Sequence, residues 1–301
     1  MIRCAEVTLP PDVNLPPTLN VLWLPETPLA ACLRAVVLRD TRGVLLSPKQ
    51  RLNHVAVSPY FNLTWFLEGS GELLSEGQVR QATAESSRRA LPGPILLMGP
   101  TEQPFVTYNP GPVRTLMLVF MPDALHHLVG LDSREWIGRS ADAREVLPLE
   151  WQGWLDAVLN APSETEALEI IENFLNPRWA TCRPASLLGG AIGDWLQSLA
   201  MRLALSGTGR SLRQMERRFR MATGNSLRKL RRHARDERAY FQSRQAYLGG
   251  QFGWAQVAAE TGYADQSHLV RETVRATGFT PTEVVRLMQT EESFWAYRLW
   301  N

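Results

Sequence analysis

The sequence predicts an α+β chain of several domains: a β-rich N-terminal domain, a helical connector and an all-helical C-terminal domain. Three observations support this fold class. Short apolar runs punctuated by proline and glycine fill the first ~125 residues, helical patterns take over after Pro122, and one pattern recurs at an offset of 54 positions in the last third. We expect the domains to span residues 1–125, 126–190 and 191–301.

The N-terminal domain is expected to be a sandwich or a barrel. Its apolar runs have the length and the β-branched or aromatic content of buried strands: Asn62–Leu67, Ile95–Met98 and Val113–Phe120. One early segment has helical spacing instead, with apolar residues at i, i+4, i+7 and i+8: Leu29, Leu33, Val36 and Val37. We therefore expect a helix at the start of the domain.

Three helical patterns follow Pro122: Trp151–Leu159, Glu164–Leu175 and Ala191–Leu205. Ser163 and Glu166 have the spacing of a capping box, which predicts the start of the second helix. The apolar stripe of that helix packs either within the chain or on a partner subunit, and the sequence leaves both options open.

The last third of the chain contains a duplicated unit, at residues 211–230 and 265–284. The first copy has Ala-Thr-Gly at 222–224, and the second copy has the same tripeptide at 276–278. Each glycine is placed to end a helix, and an offset of 54 residues exceeds any single helical repeat. The sequence therefore predicts two copies of one supersecondary unit.

A helix-turn-helix pattern precedes and includes the second copy. Residues 254–264 read WAQVAAETGYA, which indicates a short helix that ends at Gly262, and a new helix is expected to begin near Asp265. The second helix of such a motif lies in the major groove of DNA and reads the bases.

The matching helix of the first copy has a basic face. Arg213, Arg217 and Arg220 fall at i, i+4 and i+7, roughly opposite the apolar stripe. Guanidinium groups in this arrangement suit guanine edges and phosphates. The alternative is a charged face that contacts only solvent.

The net charge of +2 conceals an asymmetry along the chain. Residues 1–205 carry a net charge of −5, whereas residues 206–301 carry +7. Within the basic part, residues 210–238 have 11 basic and 3 acidic side chains, and residues 239–301 have 5 and 6. This distribution favours a DNA-binding domain whose first unit supplies most of the phosphate contacts.

These motifs resemble the C-terminal domain of the AraC/XylS family of bacterial transcription regulators. Residues 262–284 read GYADQSHLVRETVRATGFTPTEV, which is similar to the family signature, and the likeness extends over about 191–290. The resemblance implies two helix-turn-helix units in successive major grooves, joined by a helix at 228–239. It implies base-reading roles for Arg213, Gln214, Arg217, Gln266, Ser267 and Arg271. As phosphate-binding residues we expect Arg218, Arg220, His268 and Arg275.

Three positions of the second unit depart from the family pattern, and the first is Leu269, where phenylalanine is common. Thr273 lies on the stripe expected to be buried, where an aromatic residue is usual, and Val274 lies on the DNA side, where a basic residue is usual. A valine can contact a thymine methyl group but binds no phosphate. Beyond the signature, the aromatic residues of 291–300 are expected to cover a hydrophobic groove, with a subunit contact as the alternative.

The N-terminal domain is more weakly similar to the sensory domains of the family. These are often cupin-like barrels that bind an effector or mediate dimerisation. The candidate residues for an effector pocket are Tyr60, Trp65, Phe66, Phe105 and Tyr108. Core packing is the alternative role of such aromatic side chains.

The expected partners are double-stranded DNA, a small-molecule effector, a second copy of the chain and, for an activator, RNA polymerase. The alternative function is a ligand-binding or protein-interaction module whose degenerate helix-turn-helix pair contacts a protein. DNA affinity that falls steeply with salt favours the regulator.

We expect a cytoplasmic protein without enzymatic activity. Cys4, Cys32 and Cys182 are widely spaced and form no CxxC pair, and no apolar run approaches the ~20 residues that span a bilayer. The five histidines form no HxH or HxxxH pair, which predicts no metal site and no catalytic cupin. Phosphate-loop, dinucleotide and nucleophile-elbow motifs are absent from the sequence, and we expect no cofactor.

Overall fold

A computed structural model describes residues 2–5, 15–26, 29–74, 79–183, 212–248 and 253–299. The N-terminal region forms two antiparallel sheets. The strands are β1 (Ile2–Ala5), β2 (Leu19–Pro25), β3 (Leu33–Asp40), β4 (Leu52–Val55), β5 (Phe61–Glu68), β6 (Glu72–Leu74), β7 (Arg88–Ala90), β8 (Ile95–Met98), β9 (Phe105–Tyr108), β10 (Arg114–Phe120) and β11 (Ser140–Asp142). The first sheet has the order β1-β2-β3-β10-β5-β8-β11, and the second has the order β4-β9-β6-β7.

The rest of the described chain is mainly helical. The helices are α1 (Ala124–Val129), α2 (Ala143–Val146), α3 (Leu149–Leu159), α4 (Glu164–Cys182), α5 (Leu212–Thr223), α6 (Leu227–Leu248), α7 (Trp254–Thr261), α8 (Gln266–Thr277), α9 (Pro281–Thr290) and α10 (Trp295–Leu299). We call the described residues up to 183 the N-terminal body, α5 with the start of α6 the first unit, and α7–α9 the second unit. None of the helices in the described ranges is long and apolar enough to cross a membrane.

The predicted helix around Leu29–Val37 is wrong. A short 3-10 turn at Leu29–Ala31 leads directly into β3, which pairs with β2 and with β10. Both faces of β3 are covered, so that buried residues occupy most of its positions. A strand that is buried on both faces is apolar at most positions and does not alternate between apolar and polar residues. Such a run therefore also contains apolar residues at helical spacings.

The two faces of the first sheet contact different parts of the chain. Trp65 of β5 faces α3, where its indole N–H donates to the carbonyl of Leu155 at 3.0 Å. Phe66 follows it and lies on the opposite face, since neighbouring residues of a strand point to opposite sides. The helical side forms the main core, and the other side faces the C-terminal region.

Helix α4 packs on this main core within the chain. The Ser163 hydroxyl accepts the backbone N–H of Glu166 at 3.2 Å, which confirms the predicted cap. Ala167, Ile171 and Leu175 are buried in the core, so the apolar stripe is covered by the chain itself. The helix predicted at 191–205 and the turn at 206–211 lie outside the described residues.

The C-terminal segment, Glu291–Leu299, packs on the N-terminal body. Trp295 and Leu299 join a cluster with side chains of β2 and β3, and the Trp295 indole N–H donates to Asn53 Oδ1 at 2.7 Å. Glu292 is buried between two guanidinium groups, Arg39 at 3.0 Å and Arg298 at 2.5 Å. The aromatic extension thus covers an apolar surface of its own chain.

Candidate DNA interface and interdomain cavity

Helix α5 is the first candidate DNA-reading helix. Phe219 is 5% exposed and belongs to the main core of the N-terminal body, which directs the opposite face of α5 outward. Arg220 lies on the surface and pairs with Glu216 at 2.8 Å, an exposed pair that contributes at most about 1 kcal/mol. The other predicted DNA-binding residues of α5 are also exposed: Arg213, Gln214, Arg217 and Arg218.

Helix α8 is the second candidate, and it follows α7 in a helix-turn-helix. Helix α7 ends at Gly262, whose φ of 80° is in the left-handed region that favours glycine. Asp265 Oδ1 accepts the N–H of His268 at 2.7 Å and caps α8, as the sequence predicts. Leu269 is 1% exposed and packs on α7 residues. The predicted base-reading residues of α8 are exposed: Gln266, Ser267 and Arg271.

Two predicted phosphate-binding residues of α8 have partners inside the protein. Arg275 pairs with Asp236 of α6 at 2.8 Å and with Glu272 at 3.1 Å. His268 is half-buried, and its ring lies edge-on to Tyr263 with centroids 5.2 Å apart. A DNA phosphate at Arg275 therefore has to compete with two carboxylates.

Asp236 connects the second unit to the joining helix α6. Its carboxylate accepts from the Tyr263 hydroxyl at 2.6 Å and from Arg275. Burial is the largest influence on this carboxyl and raises its pKa, against the opposing effects of those two donors. The contacts fix the turn between α7 and α8 on α6.

Val274 and Thr273 lie where the sequence places them. Val274 is 37% exposed on the outer face of α8, beside the predicted base-reading residues. Thr273 is half-buried, and its hydroxyl donates to the carbonyl of Leu269 at 2.9 Å, which satisfies the polar group within the helix.

A cavity of about 380 Å³ lies between the N-terminal sheets, α6 and the C-terminal segment. Its lining is mostly apolar and comes from both regions, for example Phe66 and Met98 from the sheets and Phe241 and Tyr297 from the C-terminal region. A mostly apolar space of this size, with a few polar groups, suits a small molecule.

Three of the five aromatic residues predicted for an effector pocket line this cavity: Tyr60, Phe66 and Phe105. Trp65 does not, because it faces α3 on the other side of the sheet. Tyr108 packs with Leu52 and Val106 in a separate cluster. The alternation of side chains along β5 decides which of two adjacent aromatic residues reaches the cavity.

Three basic side chains of the cavity wall have lowered pKa values: Arg39, His54 and His233. Burial lowers the pKa of His54 to about 4, so the ring is neutral at physiological pH. Burial also lowers the pKa of Arg39 to about 10, although Glu292 opposes this effect, and Arg39 remains charged. The His54 ring stacks on Phe294 with centroids 4.5 Å apart, which joins β4 to the C-terminal segment.

Sequence reasoning missed the wall that the C-terminal region contributes to the cavity. This wall includes Tyr240 and Phe241 of α6 and Trp295 and Tyr297 of the C-terminal segment. The only sequence signal was the density of aromatic residues after position 291. In the ranges that the structure describes, no group of three or more His, Cys, Asp and Glu side chains is placed to hold a metal ion.

Residues 205–286 match the protein-family model described as a helix-turn-helix domain. The C-terminal region is an AraC-type helix-turn-helix domain. The resemblance to AraC/XylS regulators is thereby confirmed for this region, and the protein is a DNA-binding transcription regulator. A search of curated proteins gave no significant match.

Among solved structures, several of ToxT from Vibrio cholerae are similar to this chain. An apo variant from strain SCE256 is 13% identical, with 85% of this chain and 97% of that chain covered and a TM-score of 0.39. The P21 crystal form of ToxT is 11% identical, with coverage of 79% and 95% and a TM-score of 0.39. A wild-type ToxT structure with a bound unsaturated fatty acid is 13% identical, with coverage of 79% and 95% and a TM-score of 0.34.

Proposed function

We propose that this regulator reads DNA with α5 and α8 and responds to a small molecule in the interdomain cavity. The observation that supports the DNA interface is a pair of equivalent helices, each with a buried apolar side chain, Phe219 or Leu269, and each with exposed polar side chains on its outer face. Arginine can bond guanine and glutamine can bond adenine through paired hydrogen bonds. The proposed base-reading residues are Arg213, Gln214, Arg217, Gln266, Ser267 and Arg271.

We propose that the two units bind phosphates unequally. Arg218 and Arg220 lie on the exposed face of the first unit, within a stretch of high positive charge. His268 and Arg275 are the proposed phosphate ligands of the second unit, but internal contacts occupy them in the free protein. Phosphate binding should therefore depend mainly on the first unit.

The position of the cavity supports a role in regulation. Because its walls come from both regions, a ligand that fits one arrangement of these regions better than another shifts the population toward it. We propose binding functions without an enzymatic reaction, in the cytoplasm. A second copy of the chain and, for an activator, RNA polymerase complete the proposed partners.

Selection from random double-stranded DNA with the full chain tests the DNA interface. We expect Arg217→Ala to cost about 1–3 kcal/mol at the selected site and to relax the preference at one base pair. Arg220→Ala should weaken binding evenly across sequences and reduce the slope of log affinity against log salt by about one.

A base-specific effect of Arg220→Ala would show that the two roles are exchanged. Indifference to DNA at low salt, together with stable association with another protein, would instead favour the protein-interaction module.

The cavity is tested with N-phenyl-1-naphthylamine, an apolar dye that fluoresces when it is bound. Thr64 lines the cavity, and Thr64→Trp should fill it and abolish dye binding, whereas Thr181→Trp on the exposed surface of α4 should leave it unchanged. DNA affinity is then measured with and without the dye. Equal dye binding by both variants would exclude this cavity as the site.

A further inference from the structure

The two helix-turn-helix units end their reading helices in the same way. The Ala-Thr-Gly caps at 222–224 and 276–278 occupy equivalent positions of the repeat. Each threonine hydroxyl donates to the carbonyl four residues earlier, at 2.9 and 2.8 Å. The glycines that follow have φ angles of 70° and 84°, so both helices end in a left-handed glycine.

The N-terminal body donates a hydrogen bond to the same carbonyl in both caps. The last carbonyls of a helix lack partners within the helix and need donors from elsewhere. In the first cap, the carbonyl of Ala222 accepts from the Ser133 hydroxyl at 2.7 Å. In the second, the carbonyl of Ala276 accepts from the backbone N–H of Val57 at 2.8 Å. Two separate segments of the body thus contact equivalent atoms of the repeat.

The glycine of each cap is also in close contact with the body. A Cβ atom on Gly224 would lie 2.8 Å from the carbonyl oxygen of Ser133, which is too close for any other residue. A Cβ atom on Gly278 would lie 3.3 Å from the Cβ of Val79, and the Gly278 carbonyl accepts from Arg80 Nε at 2.7 Å. The arginine lies at the negative end of the α8 dipole, where a cation is favourable.

Arg80 extends this contact to the next helix. Its guanidinium also pairs with Glu283 in the first turn of α9. On the joining helix, Arg34 of the body pairs with Glu237 of α6 at 3.0 Å. The body therefore contacts the DNA-binding region at both reading helices and at the helix between them.

We infer that the N-terminal body is a template that sets the relative placement of α5 and α8 through their Ala-Thr-Gly caps, and with it the preferred spacing of two DNA half-sites. The inference rests on the proposed DNA interface, because spacing matters only when both helices bind. Helix α6 has 22 residues, about 33 Å in length, which fits one turn of DNA. Its length fixes a distance, whereas the caps fix the orientation of each reading helix.

The two caps differ in their relation to the cavity. Val57, Ala276 and Thr277 line it, so a bound molecule contacts the second cap directly. Ser133 and Ala222 are not among the described residues that line it. A ligand should therefore reorient the second unit relative to a first unit that stays fixed.

The placement is measured without DNA by attaching spin labels through unnatural amino acids at positions 218 and 271 and recording dipolar distances. Wild type should give one narrow distribution. Ser133→Ala with Arg80→Ala removes the side-chain donor from each cap and leaves the backbone bond from Val57 to Ala276 in place. The distribution should then broaden at least about twofold, since each helix end is held less tightly. Matched controls are Ser163→Ala and Arg42→Ala, which remove a cap and an ion pair inside the body. An equally narrow distribution in the cap variant would overturn the inference.

The consequence for DNA is measured on the selected operator and on copies with one base pair inserted or deleted between half-sites. Wild type should lose at least about tenfold in affinity on the altered spacings, because each base pair rotates the second half-site. For the cap variant, the affinities for the selected operator and for the altered spacings should differ by less than about threefold. Its affinity for isolated half-sites should equal that of wild type. Unchanged discrimination would contradict the template. If the chain selects no DNA at all, the proposed function fails, and the label distances still decide the inference.

Discussion

The two helix-turn-helix units share a repeat but are stabilised by different parts of the molecule. In the first unit, Phe219 and Leu230 are buried in the main core of the N-terminal body. In the second unit, Leu269 packs with Val257 and Tyr263 in a cluster within the DNA-binding region. Among the side chains that the structure describes, those of the first unit therefore take their apolar contacts from the body, whereas Leu269 of the second unit takes its contacts from the DNA-binding region.

The same contrast appears in the charges. The first unit and the start of α6 carry most of the positive charge, and Arg213 and Arg217 are exposed. In the second unit, carboxylates of Asp236 and Glu272 neutralise Arg275. A strongly basic face repels itself and needs support from elsewhere, whereas a neutral unit can stand on its own core. Positive charge and an apolar cluster within the DNA-binding region are thus divided between the two units.

The largest expected effect is the loss of the apolar anchor of the first unit. Phe219→Ala should reduce the free energy of unfolding by about 4 kcal/mol, because it removes a buried aromatic ring from the main core. Hydrogen exchange should rise in α5 and stay low in α8. Leu269→Ala is the mirror control, since Leu269 packs with Val257 and Tyr263 in the cluster within the DNA-binding region. If either substitution raised hydrogen exchange equally in α5 and α8, the two units would not be stabilised by different parts of the molecule.

A second large effect is expected at the buried ion network that holds the C-terminal segment. Glu292→Gln should destabilise the protein by about 3 kcal/mol, because Arg39 and Arg298 then lose the carboxylate between them while they remain buried. Hydrogen exchange should rise in α9 and α10 rather than in α5.

The neighbouring Glu291→Gln is the control for this prediction. Its partner Lys49 is mostly exposed, so the change should cost less than about 1 kcal/mol. If both variants lost a similar amount of unfolding free energy, burial of the Glu292 ion pairs would add nothing to stability.

The smallest of these effects is a pH dependence at the junction of the second unit. The unfolded chain protonates His54 near pH 6.5, but the folded protein does so only near pH 4. The free energy of unfolding should therefore fall by about 2 kcal/mol as pH falls from 6.5 to 4, and this contribution should level off below pH 4. His54→Phe keeps a ring on Phe294 and should flatten the profile in part, since His233 also has a pKa lowered to about 3. If the melting temperatures of wild type and His54→Phe changed with pH in parallel, His54 would be excluded as a source of the pH dependence.

Much of the C-terminal region was predictable because its signals are local. Asp265, Gly262 and Gly278 act on backbone groups within four residues, and each lies at the helix end that the sequence predicts. Likewise, apolar runs identified β5, β8 and β10. The error at β3 arose where a strand is buried on both faces and loses its alternation.

By itself, the sequence determined the repeated DNA-binding units, their caps, their basic first half and the β-rich character of the N-terminal region. Only the tertiary structure decided that Phe66 and not Trp65 reaches the cavity, that Arg275 is paired with Asp236, and that the C-terminal segment closes the cavity wall. Caps and periodicity depend on residues a few positions apart. The partners of a cavity or of a buried charge lie tens to hundreds of residues away, and nothing in local sequence specifies which of them meet.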